Sequence, residues 1–257
     1  MELTVIGAGP AYTDRRGAAG AGYLVRAGDA ARGASASAAL LLDLGQGAFP
    51  NLASTLEPSL LAAVVVSHLH PDHFIDLVPL RHYLRYEFDP PRRVAVLGPA
   101  GLADRLDALH GQPGFAAAAL EVGGLQLGAQ QIGPFEVEAR LVTHTDESYA
   151  LRVSVAGSSG PGLVYSGDCG RADDLVPLIR PGDTLLAEAS FGAGQVPAGA
   201  EHLTAADAGR AATAGRAARL LITHIQMGYS RTDALAAAQS TFAGPVQLIT
   251  EGDRFEV

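Results

Sequence analysis

Short apolar segments and segments of helical periodicity alternate along the chain. The apolar and alternating segments predict strands at residues 3–6, 23–26, 40–44, 64–67, 94–97, 135–141, 149–155, 163–166, 184–187, 220–223 and 246–249. Apolar residues with helical spacing predict helices at residues 74–86, 101–110, 172–179, 204–216 and 232–242. The alanines at 116–119 fit either a helical turn or a loop. Strands mixed with interleaved helices predict an α/β fold in which helices cover the sheets.

The length and the evenness of the chain bear on its domain organisation. A chain of 257 residues suffices for one large domain or two small ones. No linker rich in proline or serine and no shift of composition divides it, so we predict a single domain over residues 1–257. The glycines and serines at 157–160 predict a hairpin turn between two strands.

The charge of the chain argues against a polyanionic partner. The formal net charge is −9, and all 18 cationic side chains are arginines. Proteins that bind long nucleic acids need rows of cations to displace counterions, whereas the local clusters here are short pairs such as Arg15 with Arg16. We therefore expect a small anionic substrate and no nucleic-acid partner.

The sequence also bears on cellular location. No segment approaches the ~20 apolar residues of a membrane span, and no basic segment precedes an apolar one at the start of the chain, so we expect neither a membrane partner nor a secretory signal. Cys169 is the one cysteine and cannot form an internal disulfide, which is compatible with a reducing compartment. These features together favour a cytoplasmic protein.

A dense group of imidazoles follows the apolar run at 61–66. His68, His70, Asp72 and His73 lie within six residues. Alternate residues of an extended segment share a side, so His68 and His70 can hold one ion while Asp72 and His73 turn toward a second. Neutral imidazoles and carboxylates are ligands that Zn²⁺ accepts. The segment therefore predicts a metal site.

Three further polar residues stand just after predicted strands. They are His144, Asp168 and His224. A lone histidine at a strand end is more often structural than functional, so each residue is weak evidence by itself. Added to the first group, they bring the set to five histidines and two aspartates, which is enough for two ions with a coordination position left for water.

These residues occur within a larger pattern. Its parts are residues 5–10 (VIGAGP), 42–45 (LDLG), 68–73 (HLHPDH), His144, 166–168 (SGD), 188–191 (EASF), 202–205 (HLTA) and 221–224 (LITH). Over nearly its whole length the chain resembles the metallo-β-lactamase-fold hydrolases, in particular their ribonuclease Z-like branch. The resemblance implies an αββα four-layer sandwich, with two mixed sheets and outer helices.

The resemblance also implies the ligand set. His68, His70 and His144 would hold one zinc ion, Asp72, His73 and His224 would hold the other, and Asp168 would bridge the two. Cys169 follows Asp168 and is an alternative ligand, but adjacent residues of an extended segment point apart, so we expect a packed thiol. With nitrogen and oxygen donors alone, Mn²⁺ or Fe²⁺ could replace Zn²⁺.

The same resemblance implies that the metals would activate a water molecule for attack on phosphorus, and it implies roles for three residues. His202 would donate a proton to the leaving oxygen, Glu188 would orient His202, and Asp72 would steer the hydroxide. Alternatives remain for two of them. His202 precedes a predicted helix with Thr204 as a candidate cap, and Glu188 could simply pair with an arginine.

Two other segments are expected to support the site. Asp43, in the LDLG segment, is a candidate to hydrogen-bond a ligand histidine from behind, as outer-shell carboxylates do. The glycines at 7–10 lack the GxGxxG spacing of a dinucleotide site, and we interpret them as a tight turn near the metals.

The segment between His144 and Asp168 bears on the substrate. Ribonuclease Z proteins carry an RNA-binding arm there, whereas this chain has room only for two strands and a turn. The chain most resembles small actinobacterial cyclic-nucleotide phosphodiesterases, with parallels at residues 145–149, 165–168, 188–190 and 230–233. The leading hypothesis is a dinuclear metal phosphodiesterase for a small substrate such as 3′,5′-cyclic AMP, with residues 191–201 as the substrate-shaping loop.

Three alternatives stay open at this stage. They are a ribonuclease Z-type endonuclease for transfer RNA, a hydrolase of another ester such as a lactone or thioester, and a non-catalytic metal-binding module. A homodimer is a candidate assembly through the apolar face of the helix at 74–86, although core packing is the preferred interpretation of that face.

Overall fold

Two seven-stranded sheets lie face to face in the computed structural model, which describes residues 1–28 and 38–257. In spatial order, the first sheet contains β14 (Arg254–Glu256), β1 (Glu2–Gly7), β2 (Gly22–Arg26), β3 (Ala39–Leu42), β4 (Leu61–Val65), β5 (Val94–Gly98) and β6 (Leu120–Gly124). The second contains β13 (Val246–Leu248), β12 (Arg219–Thr223), β11 (Thr184–Glu188), β10 (Leu163–Tyr165), β9 (Tyr149–Val155), β8 (Phe135–Leu141) and β7 (Gly128–Ile132).

Helices cover the outer face of each sheet. They are α1 (Ala48–Thr55), α2 (Pro71–Phe74), α3 (Leu77–Tyr86), α4 (Leu102–His110), α5 (Ala172–Leu175), α6 (Ala205–Gly215) and α7 (Arg231–Gln239), with short 3₁₀ helices at Pro58–Leu60 and Ala116–Ala118. One apolar cluster lies between the sheets, a second packs under α1, α3 and α4, and a third packs under α5, α6 and α7. These layers form the predicted αββα sandwich.

The central strands explain why their segments read as continuous apolar runs. Along β3, Leu40 and Leu42 face the layer between the sheets, whereas Leu41 faces the layer under the helices. Both faces of the strand are therefore buried, and neither face needs polar residues. β3, β4 and β5 are parallel, and so are β10, β11 and β12, so the carboxyl ends of each set lie at one edge of its sheet.

The predicted strands are present with bounds shifted by a few residues, but β6, β7 and β14 were missed, as was α1. β7 is an edge strand whose residues are mostly exposed, so it lacks the apolar alternation that marks a strand in the sequence. The turn predicted at 157–160 joins β9 to its antiparallel partner β10.

Two predicted helices differ from the structure: the one at 74–86 is divided in two, and the one at 172–179 is shorter than predicted. Residues 74–86 divide into α2 and α3, because the Leu44 N–H donates to the His73 carbonyl (2.7 Å) and the Asp76 N–H donates to the Leu44 carbonyl (3.0 Å). The backbone at this junction thus bonds to the end of β3 instead of continuing the helix. The helix predicted at 172–179 ends as α5 at Leu175.

The apolar face of the 74–86 segment packs inward, as the preferred interpretation held. Phe74 and Leu77 are buried in the cluster under the helices, and Val78 and Tyr83 pack against that cluster. In the part of the chain that the structure describes, no helix is both long enough and apolar enough to cross a membrane.

Candidate metal centre

The carboxyl ends of the parallel strands bring the predicted ligands together. His68 lies just beyond β4 of the first sheet, and Asp168 and His224 lie just beyond β10 and β12 of the second. His144 comes from the loop between β8 and β9, while Asp72 and His73 belong to α2. This edge is where open α/β sheets commonly bind ligands. All seven predicted ligands lie in this one place.

Three imidazoles converge in the first half of the site. The Nδ1 atom of His70 lies 3.1 Å from Nε2 of His68 and 3.1 Å from Nε2 of His144. The Oδ2 atom of Asp168 lies 3.7 Å from each of the same two Nε2 atoms. All four ligand atoms lie within 4.8 Å of one another. Four electron-rich atoms at this spacing form a cage for a cation.

The second half of the site is built around the other oxygen of Asp168. Its Oδ1 atom lies 3.3 Å from Nε2 of His73 and 3.6 Å from Nε2 of His224. Oδ2 of Asp72 is 3.1 Å from the same His224 nitrogen. Asp168 therefore faces one histidine group with each carboxylate oxygen, which is the geometry that a bridging ligand requires.

Two buried atoms test whether a cation fits here. Among the described residues, His73 Nε2 and Asp168 Oδ1 are buried and have no hydrogen-bond partner. A buried polar atom without a partner costs about 1–3 kcal/mol, so native proteins rarely leave one. Both atoms point into the second half of the site, where a divalent cation would satisfy them. The donor set and its geometry thus fit a divalent metal.

Hydrogen bonds from behind orient two of these rings. The Nδ1–H of His73 donates to Asp43 Oδ2 at 2.7 Å, and the Nδ1–H of His144 donates to the Glu201 carbonyl at 2.7 Å. Each bond fixes the proton on Nδ1 and leaves the Nε2 lone pair directed at the site. The predicted contact between Asp43 and a ligand histidine is present.

Asp43 is itself held by a buried network. Its carboxylate accepts hydrogen bonds from the Ser67 N–H (2.6 Å), the Ser67 hydroxyl (2.7 Å) and the Tyr165 hydroxyl (2.7 Å). The contacts of Tyr165 and Ser67 with Asp43 were not predicted, because the three residues are far apart in the sequence. The network holds the second ligand group rigidly from beneath.

The backbone is also unusual at two of these positions. Asp43 and His224 have φ values of 58° and 57°, in the left-handed region that few residues other than glycine adopt. Such conformations cost free energy and persist where the surrounding structure requires them, often at functional sites. At both residues the chain leaves a buried strand abruptly, which turns the side chain toward the other sheet.

A third group adjoins the second half of the site. Glu188, the last residue of β11, accepts a hydrogen bond from the His202 Nδ1–H at 2.9 Å. Ser190 Oγ lies 3.2 Å from His202 Nδ1 and 3.0 Å from His224 Nδ1. Glu188 thus contacts His202, as the resemblance implied. Its carboxylate pairs with this histidine and not with an arginine. Ser190 was not predicted.

Burial and neighbouring charges set the protonation of the site. Burial, followed by the repulsion of His73, holds the pKa of His68 well below its usual value, so this ring stays neutral and can act as a ligand. Burial alone would lower the pKa of His202, but the hydrogen bond and the charge of Glu188 outweigh it and raise that pKa. The two histidines are thereby suited to different tasks.

Cys169 does not face the metals. Its side chain is buried in the cluster under α5 and α6, and its thiol donates to the Arg171 carbonyl at 3.2 Å. Burial raises the pKa of this thiol to about 12, so it stays protonated. The interpretation as a packed thiol is right.

Comparison with known proteins agrees with this geometry. The model of the beta-lactamase superfamily domain matches residues 40–225. The chain belongs to the beta-lactamase superfamily. In sequence it is 34% identical to the uncharacterized protein ML1173 of Mycobacterium leprae, over 92% of this chain and 82% of that protein. It is 28% identical to a ribonuclease Z of Salinispora arenicola, over 82% of this chain and 84% of that protein.

Members of known structure share the fold. The probable metallo-hydrolase YhfI of Bacillus subtilis is 26% identical over 98% of each chain. Its crystal structure superposes with a TM-score of 0.84 over 99% of each chain, at 25% identity. A diphosphatase of the PhnP family superposes with a TM-score of 0.74 at 17% identity, over 100% of this chain and 97% of that one, a likeness of fold alone. The superfamily fold, with these His and Asp groups, implies divalent-metal binding.

A cavity of about 250 Å³ opens onto the metal centre of this superfamily member. It is lined by His70, Pro71, Asp72, Asp168, His202 and His224, and also by Pro10, Ala11, Tyr12 and Gln226. The loop at 191–201, predicted to shape the substrate site, contributes no residue to this lining, and residues 10–12 contribute three. The turn expected near the metals at 7–10 does lie there, since the His224 N–H donates to the Ala8 carbonyl (3.2 Å).

Proposed function

We propose that the chain is a dinuclear metal-dependent phosphodiesterase that acts on a small substrate, with 3′,5′-cyclic AMP as the first candidate. The family and its metallo-hydrolase relative support a hydrolase. The observation that carries the dinuclear proposal is Asp168, whose two carboxylate oxygens face two different histidine groups. His68, His70 and His144 would hold one ion, and Asp72, His73 and His224 the other.

Zinc is the proposed ion at both positions. The set consists of five imidazoles and two carboxylates, and it lacks a thiolate because Cys169 points into the core. Such nitrogen and oxygen donors suit Zn²⁺ and also accept Mn²⁺ or Fe²⁺. When bound, two divalent ions polarise a phosphoryl oxygen and lower the pKa of a water molecule toward about 7.

The protein's own residues would position and move the protons. Asp72, which lines the cavity, would accept the proton of the attacking water. His202 has its Nδ1 proton committed to Glu188, so its Nε2 atom is the one available to protonate the leaving oxygen. Glu188 is well held for this task, because it also accepts hydrogen bonds from the N–H groups of Cys169 and Ser190.

Three observations favour a small substrate over RNA. The formal net charge is −9. The segment between His144 and Asp168 is a hairpin of β9 and β10, without an inserted arm. The cavity of about 250 Å³ lies just below the range of about 300–1,000 Å³ for small-molecule sites.

A transfer-RNA endonuclease is the second candidate, because a ribonuclease Z is among the relatives. Purified protein loaded with zinc should be assayed on cyclic AMP, on precursor transfer RNA and on bis-p-nitrophenyl phosphate. We expect turnover of cyclic AMP and of the chromogenic diester. Efficient cleavage of the RNA alone would favour the endonuclease.

Asp168→Ala tests the metal-dependent chemistry itself. The variant should lose bound metal and the turnover of every phosphodiester. Asp104→Ala is the matched control, because Asp104 is an exposed aspartate in the first turn of α4, away from the site. If Asp168→Ala keeps wild-type turnover of bis-p-nitrophenyl phosphate, the proposed function is wrong.

A further inference from the structure

An exposed aromatic ring stands at the wall of the metal cavity. Tyr12 is 61% exposed, yet it lines the same cavity as Asp168, His202 and His224. Single exposed apolar residues are common on protein surfaces and need no explanation by themselves. Tyr12 differs because it adjoins the proposed metal centre, and its neighbours Pro10 and Ala11 line the same cavity.

The backbone that carries Tyr12 is fixed by two side chains from other parts of the fold. The Gln46 amide donates to the carbonyls of Pro10 and Ala11, each at 3.2 Å. The Glu251 carboxylate accepts hydrogen bonds from the N–H groups of Ala8 (3.3 Å) and Ala19 (3.2 Å), at the two ends of the loop. A loop anchored at its ends and beside its aromatic residue presents the ring at low entropic cost.

A phosphodiester held at the metals has an organic group that must lie against a wall of the cavity. The lining contributed by Pro10, Ala11 and Tyr12 is mostly apolar, whereas the proposed ligands and His202 contribute polar groups. Pro71 and Gln226 complete the lining. Planar bases stack on aromatic side chains with little regard to base identity, because every base has a π face. The chemistry of this wall therefore matches a nucleobase.

We propose that Tyr12 forms the nucleobase subsite of the cavity and makes the protein selective for nucleotides over phosphate esters that lack an aromatic group. This proposal rests on the proposed function for its substrate class. Tyr12 acts on substrate affinity, and it takes no part in the chemistry at phosphorus.

A neighbouring cavity offers the competing position for the base. It has a volume of about 300 Å³, shares His70 with the metal cavity, and is lined by Leu69, Pro99, Ala100, Arg105, Thr145, Asp146 and Glu147. Two carboxylates and one guanidinium give this lining a polar character, and its aromatic ring is the imidazole of His70, which is a proposed metal ligand. The Tyr12 wall is therefore the better match.

Direct binding measurements separate the subsite from catalysis. AMP and ribose 5-phosphate share the phosphate and the sugar and differ in the base, so calorimetry on the zinc-loaded protein should show tighter binding of AMP. Tyr12→Ala should weaken AMP binding about tenfold and leave ribose 5-phosphate binding unchanged, because the stacking contact with the base is lost while the phosphate and sugar contacts remain. Tyr12→Phe should retain the wild-type preference, because the ring remains.

Tyr86→Ala is the matched control, because Tyr86 is 67% exposed at the end of α3, outside the lining of the metal cavity. It should bind both ligands like the wild type. Equal affinity of the wild type for AMP and ribose 5-phosphate, or an unchanged preference in Tyr12→Ala, would overturn the subsite. Loss of the preference in Arg105→Ala instead would place the base in the neighbouring cavity and also overturn it.

Turnover distinguishes this failure from failure of the proposed function. If the wild type hydrolyses cyclic AMP and Tyr12→Ala has the same KM, only the subsite is wrong. If no phosphodiester is hydrolysed but AMP selectivity disappears in Tyr12→Ala, the subsite stands and the phosphodiesterase proposal fails.

Discussion

Asp43 and His73 form a hydrogen bond of 2.7 Å between Oδ2 and Nδ1, with both side chains completely buried. The pair joins the end of β3 to α2 and lies directly behind the second group of proposed ligands. Because the carboxylate fixes the proton on Nδ1, Nε2 of His73 can face only the site.

Asp43→Asn should therefore weaken metal binding about 10- to 100-fold, the usual effect of losing an outer-shell partner. The amide keeps the size of the side chain, but its NH₂ group cannot accept the hydrogen bonds that the carboxylate oxygen accepted. Competition with a chromophoric chelator measures the affinity. Tyr165→Phe removes one donor to Asp43. It should destabilise the fold by about 1 kcal/mol and weaken metal binding less than Asp43→Asn does. Wild-type affinity in Asp43→Asn would contradict the role of the pair.

His202→Ala should discriminate between leaving groups. Cyclic AMP releases a poor alkoxide that needs a proton, so its kcat should fall about 10²- to 10⁴-fold. Bis-p-nitrophenyl phosphate releases a stable phenolate, so its kcat should fall far less. Steady-state kinetics on both substrates checks this. An equal loss on both would indicate that His202 positions the substrate or metals and is not the proton donor.

Gly45→Ala should weaken metal binding by displacing the backbone of Asp72. A Cβ atom at Gly45 would overlap the carbonyl oxygen and carbon of Asp72, so α2 would have to move. We expect destabilisation of ~1–3 kcal/mol together with reduced metal content. Gly124→Ala is the control, because a Cβ there meets nothing within 4 Å. Chemical unfolding and metal analysis of both variants measure the effect, and wild-type metal content in Gly45→Ala would refute it.

Cys169→Ala should retain the full complement of metal. The thiol is buried under α5 and α6 and donates to the Arg171 carbonyl, so it contributes packing and no ligand. The expected change is a small loss of stability with unaltered metal stoichiometry by elemental analysis. Loss of one metal equivalent would instead show that Cys169 is a ligand.

Removal of metal should lower thermal stability. A ligand present at 100 times its Kd stabilises the native state by ~2.7 kcal/mol, which corresponds to roughly 5–10 °C in Tm for a chain of this size. Calorimetry with and without a chelator measures the shift, and added zinc should restore it. Asp168→Ala should show no chelator-dependent shift. The same shift in both proteins would mean that the metal binds elsewhere.

Much of the fold was predictable where burial leaves a periodic signal. The segments that became β3, β4, β11 and β12 are buried on both faces and read as apolar runs, so their strands were found. β7 and β14 were missed because short, exposed edge strands carry no such pattern. The division of residues 74–86 depended on hydrogen bonds to Leu44, far away in the sequence.

The candidate site divides in the same way. The sequence alone indicated four ligands because they lie close together in the chain: His68, His70, Asp72 and His73. His144, Asp168 and His224 were singled out by their positions after predicted strands, each weak evidence alone, and the family resemblance assigned them to the two ions. Nothing in the local sequence indicated that Tyr12 and Ser190 lie at the site. The loop at 191–201 was predicted to shape the substrate site because it is rich in glycine.

By itself, the sequence determined the residue types that can bind metal, the strands and helices with clear periodicity, and the family likeness that joins them. The tertiary structure alone decided that Asp168 turns one oxygen to each histidine group, that Asp43 and Tyr165, 122 positions apart, meet behind His73, and that Tyr12 faces the cavity. The physical reason is that side-chain chemistry and periodicity are local properties. Distances between remote residues arise only when two sheets pack their buried faces together.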